Sequence, residues 1–307
     1  MNFLIIENND YNPEALDIYK NIGHIFTFEK YDPKVIDVLI VRLSQFLDES
    51  FLTKFINLKY IISPTTSLTH IDIKYIKTKN IQIISLRNCK EKLEIITSSA
   101  EHALTLALSL ERNLHNYLKE KIEDWDRYKY PIREISSLKV GIIGYGRIGK
   151  WLMKVFNLIS SEVFFYDKDE QYKSFSRFRE KRDLFFECDI LLICASYNKG
   201  DNPLITFQDF QSIKNGINIV NIARAGLVDE EAIVYGLKKG FISGYATDVL
   251  VEEEDKKPIK ESKLIELKSQ GYNILITPHI GGAASDAIKK TELILADYFQ
   301  KLIQKKV

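Results

Sequence analysis

The sequence predicts an α/β protein built on two doubly wound parallel sheets. Short runs rich in Ile, Val and Leu alternate with stretches whose apolar residues recur at helical spacing, in two separate series along the 307 residues. Continuous apolar runs are typical of parallel strands that are buried on both faces of a sheet. A glycine triplet follows the first strand of the second series and distinguishes it from the first.

The first series occupies about the first hundred residues. Five apolar runs predict strands at residues 2–6, 25–28, 37–41, 59–63 and 81–85, with helices between them. The stretch "SSAEHALTLALSLERNLHNYLK", roughly residues 98–119, predicts one long helix that joins the two series, and its early Ser and Glu favour a helix N-terminus.

The second series begins after that helix. Its six predicted strands lie at residues 138–144, 162–167, 189–195, 217–223, 242–248 and 273–278. Helical spacing between them predicts helices that include residues 147–159 and 174–183, and a final helix covers about 283–304. No low-complexity linker separates the two series, so we expect two closely connected domains.

Composition excludes several function classes. The formal net charge is +1, with no long block of one sign, which argues against nucleic-acid and membrane-surface partners. No apolar segment approaches the roughly 20 residues of a membrane span, and the N-terminus lacks a basic leader. Cys89, Cys188 and Cys194 lack the spacing of a zinc site. We therefore expect a cytoplasmic protein without a metal ion.

The glycine triplet lies in "KVGIIGYGRIGKWL", between a predicted strand and a predicted helix. In this context Gly144 allows a tight turn, Gly146 lets the backbone approach a pyrophosphate, and Gly149 allows close packing of the helix on the strand. The helix N-terminus supplies free N–H groups for the phosphates. The motif therefore predicts a dinucleotide site.

An acidic residue at the end of the next strand indicates which dinucleotide is bound. Asp167 follows "FFY" at the position where a carboxylate accepts hydrogen bonds from the ribose hydroxyls of NAD and repels the 2′-phosphate of NADP. The sequence therefore predicts NAD as the cofactor. The neighbouring Lys168 leaves open how strictly NADP is excluded.

Three further stretches, "VNIARAGLVDEEAI", "GYATDVLVEEE" and "TPHIGGAA", follow strands of the second series. Together with "GYGRIGK" and "SSAEHALTLALSL" they make the chain similar to the D-isomer-specific 2-hydroxyacid dehydrogenases, most clearly over residues 98–284. The resemblance implies a Rossmann NAD-binding domain at 100–282 and a discontinuous, flavodoxin-like substrate domain at 1–99 and 283–307. It also implies a homodimer that forms through the helix around residues 100–118.

The resemblance implies an oxidoreductase that transfers a hydride between nicotinamide and C2 of a small 2-oxo or 2-hydroxy acid. His279 is the implied general acid/base, Glu253 orients it, and Arg224 binds the substrate carboxylate. These residue types suit the chemistry, because a guanidinium binds a carboxylate bidentately and imidazole exchanges protons near neutral pH. Glu252 and Glu254 remain alternatives for the partner of His279.

The resemblance also implies the ligand-contacting positions. The cofactor-binding set is Gly144, Gly146, Arg147, Ile148, Gly149, Asp167, Ala195, Ile222, Asp248, which lies near the nicotinamide amide, and Gly281; the substrate-binding set is Ser67, Leu68 and Arg224. Ser67 stands where the family usually has a glycine, which is unfavourable if the turn requires positive φ. His70 and His102 are interpreted as packing or capping residues.

Two other functions remain open at this point. The family also contains corepressor-like proteins that sense NAD(H), and dehydrogenases of phosphite and formate. The identity of the acid and the physiological direction do not follow from the sequence.

Overall fold

The chain divides into two units, each with its own parallel sheet. The computed structural model describes residues 1–7, 9–28, 30–197, 200–255 and 257–305. The first unit comprises Met1–Ile96 and Ala284–Val307, and the second comprises Thr97–Ala283.

The first unit contains a five-stranded sheet of order β2-β1-β3-β4-β5, in which every pair of strands is parallel. This is the flavodoxin-like order 2-1-3-4-5. Its strands are β1 (Asn2–Ile5), β2 (His24–Thr27), β3 (Val38–Ile40), β4 (Tyr60–Ser63) and β5 (Gln82–Ser85).

Helices cover both faces of this first sheet, and the last of them comes from the C-terminal end of the chain. They are α1 (Pro13–Ile22), α2 (Glu49–Leu52), α3 (Ile73–Thr78) and, from the C-terminal segment, α11 (Ser285–Gln304). Phe299 of α11 packs edge-on against Phe3 of β1 at 5.9 Å, and Tyr19 of α1 lies at 5.3 Å from Phe3. All three side chains are fully buried, so α11 is an integral part of the first core.

The second unit contains a six-stranded parallel sheet of order β11-β10-β9-β8-β6-β7. Its strands are β6 (Lys139–Ile143), β7 (Glu162–Tyr166), β8 (Ile190–Ile193), β9 (Ile217–Asn221), β10 (Ile242–Thr247) and β11 (Ile274–Ile276). The chain order reverses between β6 and β8, which is the switch point of a doubly wound fold. Together the two sheets confirm the predicted fold class.

One prediction in the second unit was wrong. Of the predicted residues 174–183, residues 174–180 do not form a helix; instead Phe178 bridges Phe165 of β7 in parallel, with Arg179 N–H donating to the carbonyl of Phe165 (2.9 Å). Pairing with the edge of the sheet satisfies backbone groups that the apolar spacing alone had assigned to a helix. The helix of this region, α7 (Lys181–Glu187), starts only afterwards.

The long joining helix is shorter than predicted. Helix α4 (Ser98–Glu111) ends before Asn113, whose φ of 48° places it in the left-handed region, and α5 (Leu114–Tyr117) is a separate turn. The Asn113 side chain donates to the carbonyl of Pro131 (2.6 Å), which stabilises the break. The remaining helices of this unit are α6 (Arg147–Ile159), α8 (Glu230–Lys239), α9 (Val251–Asp255) and α10 (Lys263–Ser269).

None of the helices in the described part of the chain combines the length and apolar character that a bilayer crossing requires. Within the same residues, His, Cys, Asp and Glu side chains form no group of three or more that could hold a metal ion.

Candidate active site

The predicted site residues of the second unit follow the carboxyl ends of its strands. Because adjacent strands are parallel, these ends lie along one edge of the sheet, about 4.8 Å apart. The residues in spatial order are Asp167 after β7, Gly144 after β6, Ala195 after β8, Ile222 and Arg224 after β9, Asp248 after β10 and His279 after β11. The edge can therefore accommodate an extended ligand that crosses several strands.

The glycine loop leaves open space at one position and is tightly packed at the other two. A Cβ atom on Gly149 would lie 2.0 Å from the carbonyl oxygen of Gly144, and one on Gly144 would lie 2.6 Å from the backbone of Ala195. A Cβ on Gly146 would meet no atom within 4 Å. Gly144 also has φ of 102°, so both its backbone conformation and its close contact with Ala195 require glycine at this position.

Helix α6 begins directly after Gly146. Arg147 and Ile148 are therefore its first two residues, and their backbone N–H groups belong to the helix turn that lacks acceptors within the helix. The open space beside Gly146 and these N–H groups fit a bound pyrophosphate.

Asp167 contacts the glycine loop directly. Its Oδ2 accepts the N–H of Tyr145 (2.7 Å), and its Oδ1 accepts the N–H of Asp169 (3.0 Å). The Tyr145 ring stacks on Phe165 of β7, with ring centroids 3.7 Å apart, so strand and loop are held together. Each carboxylate oxygen keeps lone pairs for further donors, which is what two ribose hydroxyls require.

Arg224 lies on a turn that is organised by Asn221, the fully buried last residue of β9. The Asn221 side chain accepts the N–H of Ala223 (3.0 Å) and donates to the carbonyl of Arg224 (2.9 Å). The Arg224 guanidinium donates to the carbonyl of Ala223 (2.6 Å) and is partly exposed. Its other donors make no hydrogen bond to the described residues and can bind a planar anion.

His279 and Glu253 are brought together by the structure. Nδ1 of His279 lies 2.5 Å from Oε1 of Glu253, and both side chains are about one-third exposed. A carboxylate only accepts hydrogen bonds, so Nδ1 carries the proton in this pair. Nε2 of His279 makes no hydrogen bond to the described residues and is left for another partner.

Helix geometry and side-chain contacts indicate which residue in the run of three glutamates contacts His279. Successive residues of a helix point about 100° apart, so two neighbours cannot face the same group. Glu252 is buried, and its Oε2 has no hydrogen-bond partner within the described residues. Glu253 is the neighbour that reaches His279, while the side chain of Glu254 lies outside the described part of the structure.

The loop that carries His279 is held by Asp248. The N–H groups of Ile280 and Gly281 donate to its Oδ1 (2.9 Å) and Oδ2 (2.7 Å), and the carbonyl of Gly281 accepts Ser98 Oγ (2.7 Å). His279 itself has φ of 55°, a left-handed conformation that few non-glycine residues adopt. The motif did not reveal this conformation.

The predicted substrate loop of the first unit contains a chain of hydrogen bonds. Thr65 Oγ1 donates to the carbonyl of Ser67 (2.6 Å), so it accepts from Ser63 Oγ (2.9 Å), which in turn accepts from Nε2 of His70 (3.2 Å). Burial lowers the pKa of His70 to about 4. Ser67 is not among the described residues with positive φ, so its turn does not require glycine.

Three residues in the second unit were missed by sequence reasoning. Asn221 shapes the Arg224 turn, and Thr277 donates to Asp248 (2.6 Å). His102 was interpreted as a packing or capping residue, but its Nε2 lies 2.9 Å from Thr277 Oγ1 and 3.2 Å from Asp248 Oδ1. For Asn221 and Thr277 the available signal was their placement, because both are polar residues in or directly after apolar strand runs. The contacts of His102 had no such signal.

Residues 104–281 match the family model described as D-isomer specific 2-hydroxyacid dehydrogenase, NAD binding domain. A putative 2-hydroxyacid dehydrogenase of Haemophilus influenzae is 25% identical over 278 residues, which cover 87% of this chain and 86% of that protein. Glycerate dehydrogenase of Methylorubrum extorquens is 27% identical over 248 residues, covering 78% of this chain and 73% of that protein.

The fold is also similar to a solved structure. The crystal structure of a D-lactate dehydrogenase from Treponema pallidum superimposes with a TM-score of 0.82 and 21% identity, covering 99% of this chain and 97% of that one. The likeness covers the sequence of both units and supports the assignment of the fold.

Proposed function

Because the chain belongs to the D-isomer specific 2-hydroxyacid dehydrogenase family, and is therefore an NAD-dependent oxidoreductase, we propose that it interconverts small 2-oxo acids and D-2-hydroxy acids. The observation that carries the proposal is the His279–Glu253 pair, in which one ring nitrogen is engaged and the other is left for a substrate. The relative from Methylorubrum extorquens is a glycerate dehydrogenase, which favours substrates of three carbons.

In the reducing direction His279 acts as the general acid. Its Nε2 donates a proton to the carbonyl oxygen of the 2-oxo acid as C2 gains a hydride, and it takes the proton back in the oxidising direction. Glu253 holds the ring through Nδ1 and stabilises the cationic form that precedes proton donation. The nicotinamide ring, when bound, supplies or accepts the hydride.

Arg224 anchors the substrate carboxylate through a planar pair of N–H donors. The Asn221 side chain holds the backbone of the turn that presents this guanidinium. We assign substrate contacts also to Ser67 and Leu68 of the first unit, whose loop is braced by the hydrogen-bond chain through Thr65. We propose that the first unit is the substrate domain, which the family resemblance implies for residues 1–99 and 283–307.

NAD binds along the strand ends of the second unit. The open space at Gly146 and the N–H groups of Arg147 and Ile148 would hold the pyrophosphate, Gly144 and Gly149 would provide the tight turn and the close helix packing that form this site, and Asp167 would hold the ribose. The other residues that would contact NAD are Ala195, Ile222, Asp248 and Gly281, which follow β8, β9, β10 and β11.

We also propose a homodimer. Most apolar side chains of α4, such as Leu106 and Leu110, are buried within their own unit. Leu118, however, is 77% exposed at the end of the predicted interface segment. Light scattering should give a dimer mass that Leu118→Lys reduces, whereas Leu158→Lys, at an equally exposed leucine of α6, should leave it unchanged.

The three cysteines are all free, which supports a reducing, cytoplasmic location.

A substrate panel tests the proposed activity. Small 2-oxo acids, including pyruvate and hydroxypyruvate, are incubated with NADH or NADPH while the absorbance of the reduced cofactor is followed. We expect turnover with at least one acid and NADH, and a loss of roughly 10²–10⁴-fold in kcat for His279→Gln with NADH binding retained. His24→Gln, at an exposed histidine of the first unit, serves as the matched control.

Two results would overturn the proposal. One is near-normal turnover by His279→Gln. The other is that no acid is reduced while NADH changes the oligomeric state, which would favour a cofactor-sensing protein. Formate and phosphite with NAD belong in the same panel, because their oxidation would point to a different substrate class on the same fold.

A further inference from the structure

The buried Asp248 carboxylate has four donors around it, and one of them comes from a distant part of the sequence. Three donors belong to the segment that surrounds His279: Thr277 Oγ1 (2.6 Å) and the N–H groups of Ile280 (2.9 Å) and Gly281 (2.7 Å). The fourth is His102 Nε2 on α4, 3.2 Å from Oδ1. Asp248 is only 2% exposed, so these contacts are largely screened from water.

The protonation of this cluster follows from the inventory of donors. Thr277 has a single hydroxyl proton, and it is directed to Asp248. Thr277 Oγ1 must therefore act as acceptor towards His102 Nε2 at 2.9 Å. Nε2 of His102 then carries a proton, which it donates to Thr277 while it lies 3.2 Å from Oδ1 of Asp248. A residue that cannot donate at this place would leave Thr277 without the donor that directs its own hydroxyl proton to the carboxylate.

The cluster brackets His279 on both sides in the sequence. Thr277 lies two residues before it, and Ile280 and Gly281 follow it directly. Between these points His279 has φ of 55°, which persists only where the surroundings impose it. Small displacements of a catalytic group are costly, because a shift of about 1 Å is enough to reduce a rate by roughly 10²-fold.

We propose that His102 is a positioning residue, whose Nε2–H fixes Thr277 and Asp248 and thereby the place of the His279 ring. The inference rests on the proposed function only for its kinetic consequence. Its structural content, that the His102 N–H of α4 fixes Thr277 and Asp248 in addition to the contact of Ser98 with Gly281, stands on the contacts of Asp248 and Thr277 alone.

Three substitutions of one residue separate this role from simple packing. His102→Gln retains a donor at nearly the place of Nε2, His102→Asn places its amide near Nδ1 instead, and His102→Leu has no donor. We expect kcat of His102→Gln within about threefold of wild type, and a roughly tenfold or larger loss for His102→Asn and His102→Leu. Any rise in the Kd of NADH should be smaller than the loss of kcat, because only Asp248 and Gly281 among the proposed NAD contacts belong to this cluster.

A matched control comes from the same helix. Thr105 lies one turn after His102 and is exposed. Among the described residues its side-chain hydroxyl hydrogen-bonds only to the carbonyl of Glu101. Thr105→Ala should leave kcat unchanged. If His102→Gln were as slow as His102→Leu, or His102→Leu as fast as wild type, the proposed donor role would be wrong.

Coupling to Thr277 gives a second criterion. If His102 acts through Thr277, the double variant His102→Leu/Thr277→Val should be little slower than the slower single variant. Losses in kcat that simply multiply would show independent action and contradict the proposal.

Amide hydrogen exchange keeps the inference separate from the proposed activity. The N–H groups of Ile280 and Gly281 donate to Asp248, so their exchange should accelerate roughly tenfold in His102→Leu but not in His102→Gln or Thr105→Ala. A protein that reduces no 2-oxo acid but shows this pattern would refute the proposed function and keep the positioning role of His102. Unchanged exchange in His102→Leu would refute the positioning role even in an active enzyme.

Discussion

Nδ1 of His279 lies 2.5 Å from Oε1 of Glu253, although the two residues are 26 positions apart in the sequence. Their elements meet because β10 and β11 are neighbours in the sheet, so the segments after these strands lie side by side. The pair fixes the ring and its proton together. Catalysis should therefore depend on this glutamate and not on the one before it.

Glu253→Gln should lower kcat by roughly 10²-fold, at the low end of the range for general acid–base catalysis, because an amide cannot stabilise the imidazolium. Glu252→Gln should change kcat by less than about threefold, since Glu252 is buried in the second unit and its Oε2 accepts no hydrogen bond from the described residues. Steady-state kinetics of both variants on the same 2-oxo acid measure the difference. Equal losses in the two variants would show that Glu253 has no special role.

The glycine loop offers a paired test of binding against folding. Gly146→Ala should keep the melting temperature of wild type, because φ is −78° and the added Cβ meets no atom within 4 Å. The same Cβ occupies the space proposed for the pyrophosphate, so the Kd of NADH should rise roughly tenfold or more, equivalent to about 1.4 kcal/mol.

Gly149→Ala should show the opposite behaviour. Its Cβ would lie 2.0 Å from the carbonyl oxygen of Gly144, and backbone atoms cannot move aside as a flexible side chain does. We expect a loss of about 3 kcal/mol in the free energy of unfolding, visible in thermal denaturation as a decrease of several degrees. If Gly146→Ala also unfolded early, its effect on NADH binding could not be ascribed to the pyrophosphate site.

These glycines illustrate what a sequence can predict. Gly144 and Gly149 are required by local geometry, and local requirements leave a readable pattern. The strands were likewise predicted, since they are continuous apolar runs. The break of α4 at Asn113 and the pairing of Phe178 with β7 were not predicted, because both depend on partners distant in the sequence, such as Pro131 and Phe165. The same reason explains why the contacts of His102 had no sequence signature.

Asp167 should control the choice between NADH and NADPH. Its carboxylate is fixed by two backbone N–H groups beside the glycine loop, where it would repel a 2′-phosphate. Asp167→Ser should lower the ratio of kcat/KM for NADH to kcat/KM for NADPH by roughly ten- to a hundredfold, or about 1.4–3 kcal/mol. Asp169→Ser is the control, because Asp169 caps the following turn through Gln171 (3.2 Å). An unchanged ratio in Asp167→Ser would exclude Asp167 as the discriminating residue.

Glu230 should make the stability of the second unit depend on pH near neutrality. Burial, together with the charges of Glu252 and Glu231, raises the pKa of Glu230 from 4.5 to about 7. Between these values the folded protein holds a proton that the unfolded chain releases, so stability is lost as pH rises from about 4.5 to about 7. Below that window both states are protonated and Glu230 has no effect.

Glu230→Gln removes this dependence. Relative to wild type, the variant should be equally stable at pH 4.5 and more stable at pH 8, by about 1 kcal/mol once solvent screening of a partly exposed group is allowed for. Thermal melts from pH 4.5 to 8 measure the difference. Glu266→Gln is the matched control: Glu266 is exposed on α10, accepts a hydrogen bond from the Gln270 side chain (3.0 Å) and is not among the charges that raise the pKa of Glu230, so its loss should give only a small offset. A constant offset for Glu230→Gln as well would mean that the surroundings of Glu230 do not disfavour its ionised form.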